Sequence, residues 1–286
     1  MPEALLTLRR TDLEVLSACP EALRLFDDWV MESSDLTEEG VLHLVWSPLA
    51  QLWAATGRHI DYMRWLHVRG LLPYWSLRDC DLSGVDLSHG CFENFDMEYV
   101  TLNDACLRET KVWSSNLSHS HLLRVIWAGA SLLDSDLRDT VLCNAELDRG
   151  RWNNLLLQRA DLSGATASHL SVAQSQLSHA NLTKVQATSS VWRYCKINSV
   201  AAMATDFEES QFVNCDLSLT SFEGANLSRT SWLDCNLTGC DLRRANLTDA
   251  VFRKGCDLTG VHWPYATPPE GWKVGPAGVL CRDVSE

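Results

Sequence analysis

The sequence predicts a mainly β fold. A right-handed, four-sided β-helix of about nine coils spans residues 75–265, with a small α-helical domain before it (1–74) and a C-terminal cap or tail after it (266–286). Three observations carry this reading. Every fifth residue from Leu77 to Phe252 is apolar, an unbroken run that 46% apolar composition does not give by chance. The residue two places before each of these is Ala, Cys, Ser, Thr, Val or Gly, with Trp75, Phe95, Leu155 and Leu170 as the exceptions. Outside this stretch the five-residue rule fails, and helix-like spacing or proline replaces it. An internal repeat this regular decides the fold before any local signal does.

The geometry follows from the period. Side chains alternate across an extended backbone, so the small residue and the central apolar residue both point inward, and the residue between them points out. The remaining two turn a corner. Four such sides close a coil of twenty residues. Coils stacked at about 4.8 Å give a rod of roughly 43 Å. Each buried leucine contributes about 1.5–3 kcal/mol, and stacking between neighbouring coils holds the rod together. The second inward position is small because the interior is narrow.

The segments CDLSG (80–84), ADLSG (160–164), ANLSR (225–229) and ANLTD (245–249) resemble the pentapeptide repeat family, with its A(D/N)LXX pattern. The resemblance implies the solenoid fold over about two thirds of the chain. It also implies one known activity: some members are acidic rods of DNA-like width that occupy the DNA cleft of gyrase and blunt topoisomerase poisons. The motif itself is a core motif, so function must be argued from the outward residues.

Residues 1–74 read as about four helices. Pro20 to Met31 places Ala22, Leu25, Phe26 and Trp29 on one face. Asp35 caps a second helix from Thr37 to Trp46. Pro48 starts a third that ends at Gly57, and a fourth runs from Ile60 to Val68, stopped by Gly70. Trp46, Trp53 and Trp65 are the expected core. Helices this short need tertiary support, so docking on the first coil is expected, where it covers an open strand edge. At the other end, Gly255 is one extra residue. The pattern resumes at Cys256-Asp257-Leu258 and Val261-His262-Trp263, and glycine suits the bulge. Pro264, Pro268 and Pro269 then stop the coil, and Trp272 with Val279-Leu280 is expected to fold back as a cap. The tail shows no long apolar helix of the kind through which some members dimerise, so both monomer and dimer stay open.

Composition excludes several classes. No apolar run approaches the roughly 20 residues of a membrane span, and the opening residues lack a signal-peptide layout; a cytoplasmic protein is expected. The formal net charge of −13 disfavours direct nucleic-acid binding and suits a basic partner. There is no glycine-rich phosphate loop, nucleophile elbow or HExxH motif, so no catalytic, cofactor or metal residues are assigned. His43, His59 and His67 have no ligand-spaced partners. Cys195, Cys215 and Cys235 fall twenty residues apart and stack inward. A straight stack is not a tetrahedron, and core packing is the expected role. The five Asn-Leu-Ser/Thr sequons at Asn116, Asn181, Asn226, Asn236 and Asn246 are products of the repeat.

A twenty-residue superperiod sorts the outward residues onto faces. One face carries Asp86, Glu109, Glu146, Asp148, Asp206, Glu208, Glu209 and Asp249, opposed only by Arg108, Arg149 and Arg229. The next carries an apolar stripe, Trp113, Leu133, Tyr194, Val213 and Leu233, with Lys111, Arg151, Arg193, Arg253 and Lys254. An exposed apolar stripe suggests a contact surface. The leading expectation is a non-enzymatic protein-interaction scaffold. The alternative is a DNA mimic acting on gyrase or another type II topoisomerase. Against it, eight carboxylates over roughly 43 Å is about one per 5 Å, where duplex DNA has one charge per about 1.7 Å.

Overall fold

The computed structural model describes residues 4–9, 41–46, 76–253, 255–265, 267–275 and 278–282. The chain divides into two compact units, Met1–Leu77 and Arg78–Glu286.

In the first unit, β1 (Ala4–Arg9) pairs antiparallel with β2 (Val41–Trp46), with Leu6 opposite Leu44 and Leu8 opposite Leu42. This corrects the helix expected from Thr37 to Trp46. Residues 41–46 read Val-Leu-His-Leu-Val-Trp, with Leu42, Leu44 and Trp46 at every second position and two β-branched valines. That is strand chemistry, and its partner lies more than thirty residues away, beyond the reach of a local reading. The other three expected helices, with Trp53, Trp65, His59 and His67, lie outside the described residues.

The second unit is a four-sided β-helix. One side forms a nine-stranded parallel sheet. Its strands are β3 (Cys91–Glu93), β4 (Lys111–Trp113), β5 (Ser131–Leu133), β6 (Arg151–Asn153), β7 (Ser171–Ala173), β8 (Val191–Arg193), β9 (Gln211–Val213), β10 (Ser231–Leu233) and β11 (Val251–Phe252). The other three sides are ladders of single parallel bridges in the same twenty-residue step, such as Asp86↔Cys106 and Asp96↔Asn116. Each coil bonds to the next through its backbone: the Leu82 N–H donates to the Thr101 carbonyl at 2.7 Å, and the Thr101 N–H returns to Cys80 at 2.9 Å.

Every central residue from Leu77 to Leu247 is buried, and Phe252 at the last strand is half-buried. Buried hydroxyls at the second inward position are satisfied. Thr110 donates to the Leu107 carbonyl at 2.8 Å and accepts from the Trp127 indole at 2.8 Å. Small residues make room where the centre is large: a Cβ on Gly150 would lie 2.9 Å from Leu170 and 3.2 Å from the Trp152 indole nitrogen.

Three of the four corners close as hydrogen-bonded turns, as where the Val85 N–H donates to Leu82 at 3.3 Å. The corner after the sheet closes differently. There Phe95, Ser115 and Leu155 donate their N–H groups to the hydroxyls of Ser115, Ser135 and Ser175 in the coil above, at 3.1–3.2 Å. The second residue after each centre from Leu77 to Leu247 adopts a left-handed backbone, and thirty of these residues are not glycine, with φ from 49° to 63°. Such residues are normally disfavoured; here the bonds to adjacent coils over-determine them.

Near the top the bridges lengthen to twenty-one residues, Asn236↔Asp257 and Asp241↔His262. The extra residue is Gly255, with φ +96°. The tail then covers part of the last coil. β12 (Trp272–Val274) pairs antiparallel with β13 (Leu280–Arg282), Gly260 and Leu280 N–H groups bond across at 2.8–2.9 Å, and Leu280 is buried. The Tyr265 hydroxyl stands in for a further coil: it accepts from the Leu247 N–H at 3.1 Å and donates to the Ala245 carbonyl at 3.3 Å.

Candidate functional site

The interior of the rod is filled with side chains, so the outward faces are where chemistry can occur. Two shallow depressions mark the described surface. One, of about 540 Å³, is lined by Arg108, Glu109, Glu146, Asp148, Arg149 and His169 among others. The other, of about 360 Å³, lies between Asp134, Asp136 and Asn154. Both are open. Ser168 and His169 also line the first, but no side-chain hydrogen bond joins them among the described residues, and the Ser168 hydroxyl instead accepts from Thr188 at 3.1 Å. Among the described residues no group of three His, Cys, Asp or Glu side chains is placed to hold a metal.

The eight acids expected on one face do share a side, because residues before, after and two after its centres all point outward. They form two groups. Between Asp148 and Asp206 the face carries Thr166, Ser168, His169, Gln186, Thr188 and Ser189 instead. Most of the carboxylates are engaged within the rod. Asp86 accepts from the Ser88 N–H at 3.0 Å, and the hydrogen bonds from Ser88 hold its carboxyl below the usual range. Asp148 accepts from the Thr166 hydroxyl and the Ser168 N–H, both at 2.7 Å. Asp206 accepts from Glu208 N–H at 3.0 Å and Asn226 at 2.9 Å. Glu146 pairs with Arg108 at 3.2 Å, and Glu109 with His89 at 3.3 Å. Arg229 bridges Glu208 and Glu209 and lies close enough to Asp249 to feel its charge. Arginines one or two coils away therefore pair with three of the eight acids, Glu146, Glu208 and Glu209, and neutral donors hold Asp86, Asp148 and Asp206, an arrangement the linear sequence does not display.

The apolar stripe lies on the sheet. Its outward line runs in unbroken register from Trp113 to Leu133, Asn153, Ala173, Arg193, Val213 and Leu233. It is two patches. Trp113 and Leu133 form the lower, where the Lys111 ammonium sits 5.7 Å from the Trp113 ring centroid. Tyr194, Val213 and Leu233 form the upper, with Tyr194 60% exposed and Leu133 36% exposed. The sheet's cations Arg151 and Arg193 are exposed; Lys254 lies outside the described residues.

The structure adds one rung to the cysteine column. Cys195, Cys215 and Cys235 are buried, their thiols donating to carbonyls, as from Cys195 to Arg193 at 3.2 Å. Cys256 stands one coil further up, donating its backbone N–H to Arg253 at 3.3 Å. The one-residue slip at Gly255 hides it from a strict twenty-residue count; counting from Asp257, the bridge partner of Asn236, recovers it. All four are free thiols. The sequon asparagines are likewise structural: Asn116, Asn226 and Asn246 each accept from the hydroxyl two residues on, at 2.7 Å.

Two family descriptions match the chain: a pentapeptide repeat region over residues 205–267, and pentapeptide repeats in eight copies over residues 76–113 and 156–190. No curated protein matches it. Among solved structures it is similar to HetL, a pentapeptide repeat protein involved in heterocyst differentiation regulation from the cyanobacterium Nostoc (20% identity, 72% of this chain and 98% of that one, TM-score 0.33). It is also similar to a trypsin-treated form of QnrB1, a plasmid-mediated fluoroquinolone resistance protein (18% identity, 61% and 90% covered, TM-score 0.38). A third is Rfr23 from the cyanobacterium Cyanothece (15% identity, 69% and 97% covered, TM-score 0.12).

Proposed function

This chain belongs to the pentapeptide repeat family, and we propose that it is a non-enzymatic, cytoplasmic protein-binding rod whose outward faces recognise a protein partner. The observation that carries this is the combination of a filled interior with large apolar side chains held at the surface, among them Tyr194 and Leu133 beside the sheet's stripe. A packed coil of this kind offers nothing to enclose a small molecule, whereas rigid surface aromatics give contact area at little entropic cost. The sheet is a rigid platform, since every outward residue of its three-residue strands adjoins a buried central residue.

The test begins with the partner recovered by full-length protein and identified. Its affinity is then measured against Trp113→Ala and Leu233→Ala, and against Asp206→Asn with Glu208→Gln and Glu209→Gln. Loss through the first pair, with weak salt dependence, supports the apolar contact. Loss through the second set, with steep salt dependence, moves the binding site to the acidic face.

The net charge of −13 favours a second reading, a DNA mimic that binds gyrase or another type II topoisomerase. Compensation of Glu146, Glu208 and Glu209 by arginines weighs against it. Gyrase supercoiling and cleavage-complex formation, titrated with purified protein with and without a poison, decides the matter: protection lost on charge reversal of Glu208 and Glu209 supports mimicry, and no effect at high concentration removes it for that enzyme.

A further inference from the structure

The arginines of the rod fall into two sets. From Arg78 to Arg244, eight are neutralised by carboxylates: Arg78, Arg108, Arg124, Arg138, Arg159, Arg229, Arg243 and Arg244. Arg149, Arg151 and Arg193 form no ion pair among the described residues. Arg149 faces the acids Glu109, Glu146 and Asp148 in the depression on the neighbouring side, whereas Arg151 and Arg193 stand on the sheet. Arg149 and Arg151 flank Gly150 at one corner of the sheet, and Arg193 stands two strands above Arg151, across Ser171 and Val191 in register. Two strand spacings and two residues along a strand place Arg151 and Arg193 about 12 Å apart on one surface.

The same stretch of sheet is poor in acid. Between β5 and β9 its outward residues include no carboxylate of their own, and Asp134 at the adjoining corner is held by the Asn154 amide at 2.7 Å. The arginines also lie midway between the two apolar patches, Trp113 with Leu133 below, and Tyr194, Val213 and Leu233 above. In a chain carrying −13, two arginines without a carboxylate, framed by the exposed Leu133 and Tyr194 and the half-buried Trp113, Val213 and Leu233, are complementary to a ligand of the opposite pattern.

We propose that the sheet face docks an acidic, amphipathic segment of a partner protein, its carboxylates against Arg151 and Arg193 and apolar side chains beyond them on the two patches. This rests on the protein-binding reading above and names the partner's chemistry. Six strand spacings from Trp113 to Leu233 set the length of the contact at about 29 Å. Charge chooses the partner and its register; the flanking aromatic and aliphatic contacts hold it.

The test uses a displayed library of random peptides selected against the full-length protein. Selected peptides are then measured on the Arg151→Glu, Arg193→Glu double variant and on a Glu208→Lys, Glu209→Lys control. The arginine variant changes exposed side chains; the control breaks the two ion pairs of Arg229, so both are compared with the parent by thermal melting before peptides are measured. The expected result is enrichment of acidic peptides with flanking apolar residues, losing about tenfold or more in affinity on the arginine variant and unchanged on the control. Basic peptides that fail only on the control variant overturn this inference while leaving the protein-binding reading intact. Absence of any enrichment above the bare support counts against both. Light scattering closes the remaining case: a dimer that dissociates in the arginine variant makes a second copy of this chain the occupant and overturns the partner named here.

Discussion

The rings of Phe212 and Trp232 lie 4.2 Å apart and within 8° of parallel, one coil above the other inside the rod. They are the middle of a column that continues to Trp192 below, at 6.2 Å, and Phe252 above, at 5.7 Å. Phe207 and Phe222 meet the column edge-on. The upper coils are thus held by aromatic area as well as by leucine, and the Trp232 indole N–H is satisfied by Thr230 at 2.9 Å.

Trp232→Ala should therefore cost about 3–5 kcal/mol, at the upper end for a core truncation, and Trp232→Phe much less. Denaturant unfolding of the full chain checks this. A cost under about 1 kcal/mol for the alanine would mean that the column is not a cooperative core.

Gly255 fixes the register slip. Its φ of +96° suits glycine, and a Cβ there would sit 1.9 Å from an Asp234 carboxylate oxygen and 3.2 Å from the Asp234 Cα. Gly255→Ala should destabilise by about 1–3 kcal/mol. Adding Asp234→Ala should recover only the part due to the carboxylate. Full recovery in the double variant would show that the backbone conformation itself is not strained.

What could be read from the chain, and what could not, divides along the distance over which information acts. The inward column from Leu77 to Phe252 is local and periodic, so fold, coil size and the slip at Gly255 are legible. Which face each outward residue occupies is also legible, by counting twenties. The strand Val41–Trp46 was misread as helix because its evidence is a partner at Ala4–Arg9. The compensation of Glu208 and Glu209 by Arg229 depends on which way long side chains lean between coils, and counting places them without pairing them. The converse signal, arginines left without a carboxylate, is equally invisible until the pairs are drawn. The left-handed corner residues had a trace in sequence, in the glycine, asparagine and aspartate that recur two places after the centres.

Cysteine chemistry should sort by burial. Cys195, Cys215, Cys235 and Cys240 are at most 2% exposed, and burial pushes the Cys240 thiol up to about 12. A hydrogen bond from Cys215 favours the Cys195 thiolate, but no reagent reaches it. Maleimide labelling of native protein at neutral pH, read by peptide mapping, should spare these four and reach the half-buried Cys106 and Cys281. Labelling of the buried column without denaturant would show that the coils open.

Acid should act late. Hydrogen bonds from Arg159 to Asp139, from Arg243 to Asp241 and from Thr259 to Asp257 hold those carboxyls below their ordinary values. A folded-state value below the unfolded one gives stability that is present above about pH 4 and lost as the pH falls through the folded value. The melting temperature should stay level from about pH 8 to about pH 5 and fall below about pH 4. A drop between about pH 7 and pH 5 would instead point to histidines.

The central claim is that the sheet face, and not the acidic face, meets the partner. The most direct measurement is photo-cross-linking in the native cell, with a benzophenone amino acid placed at Tyr194 in one protein and at Glu209 in another, both expressed at natural level. Tyr194 is 60% exposed at the corner directly after β8, and Glu209 is exposed beside Arg229 on the neighbouring face. The account predicts a discrete protein adduct from position 194, lost when Arg151→Glu and Arg193→Glu are added, and none from position 209. An adduct from position 209 alone, or from neither, would contradict it.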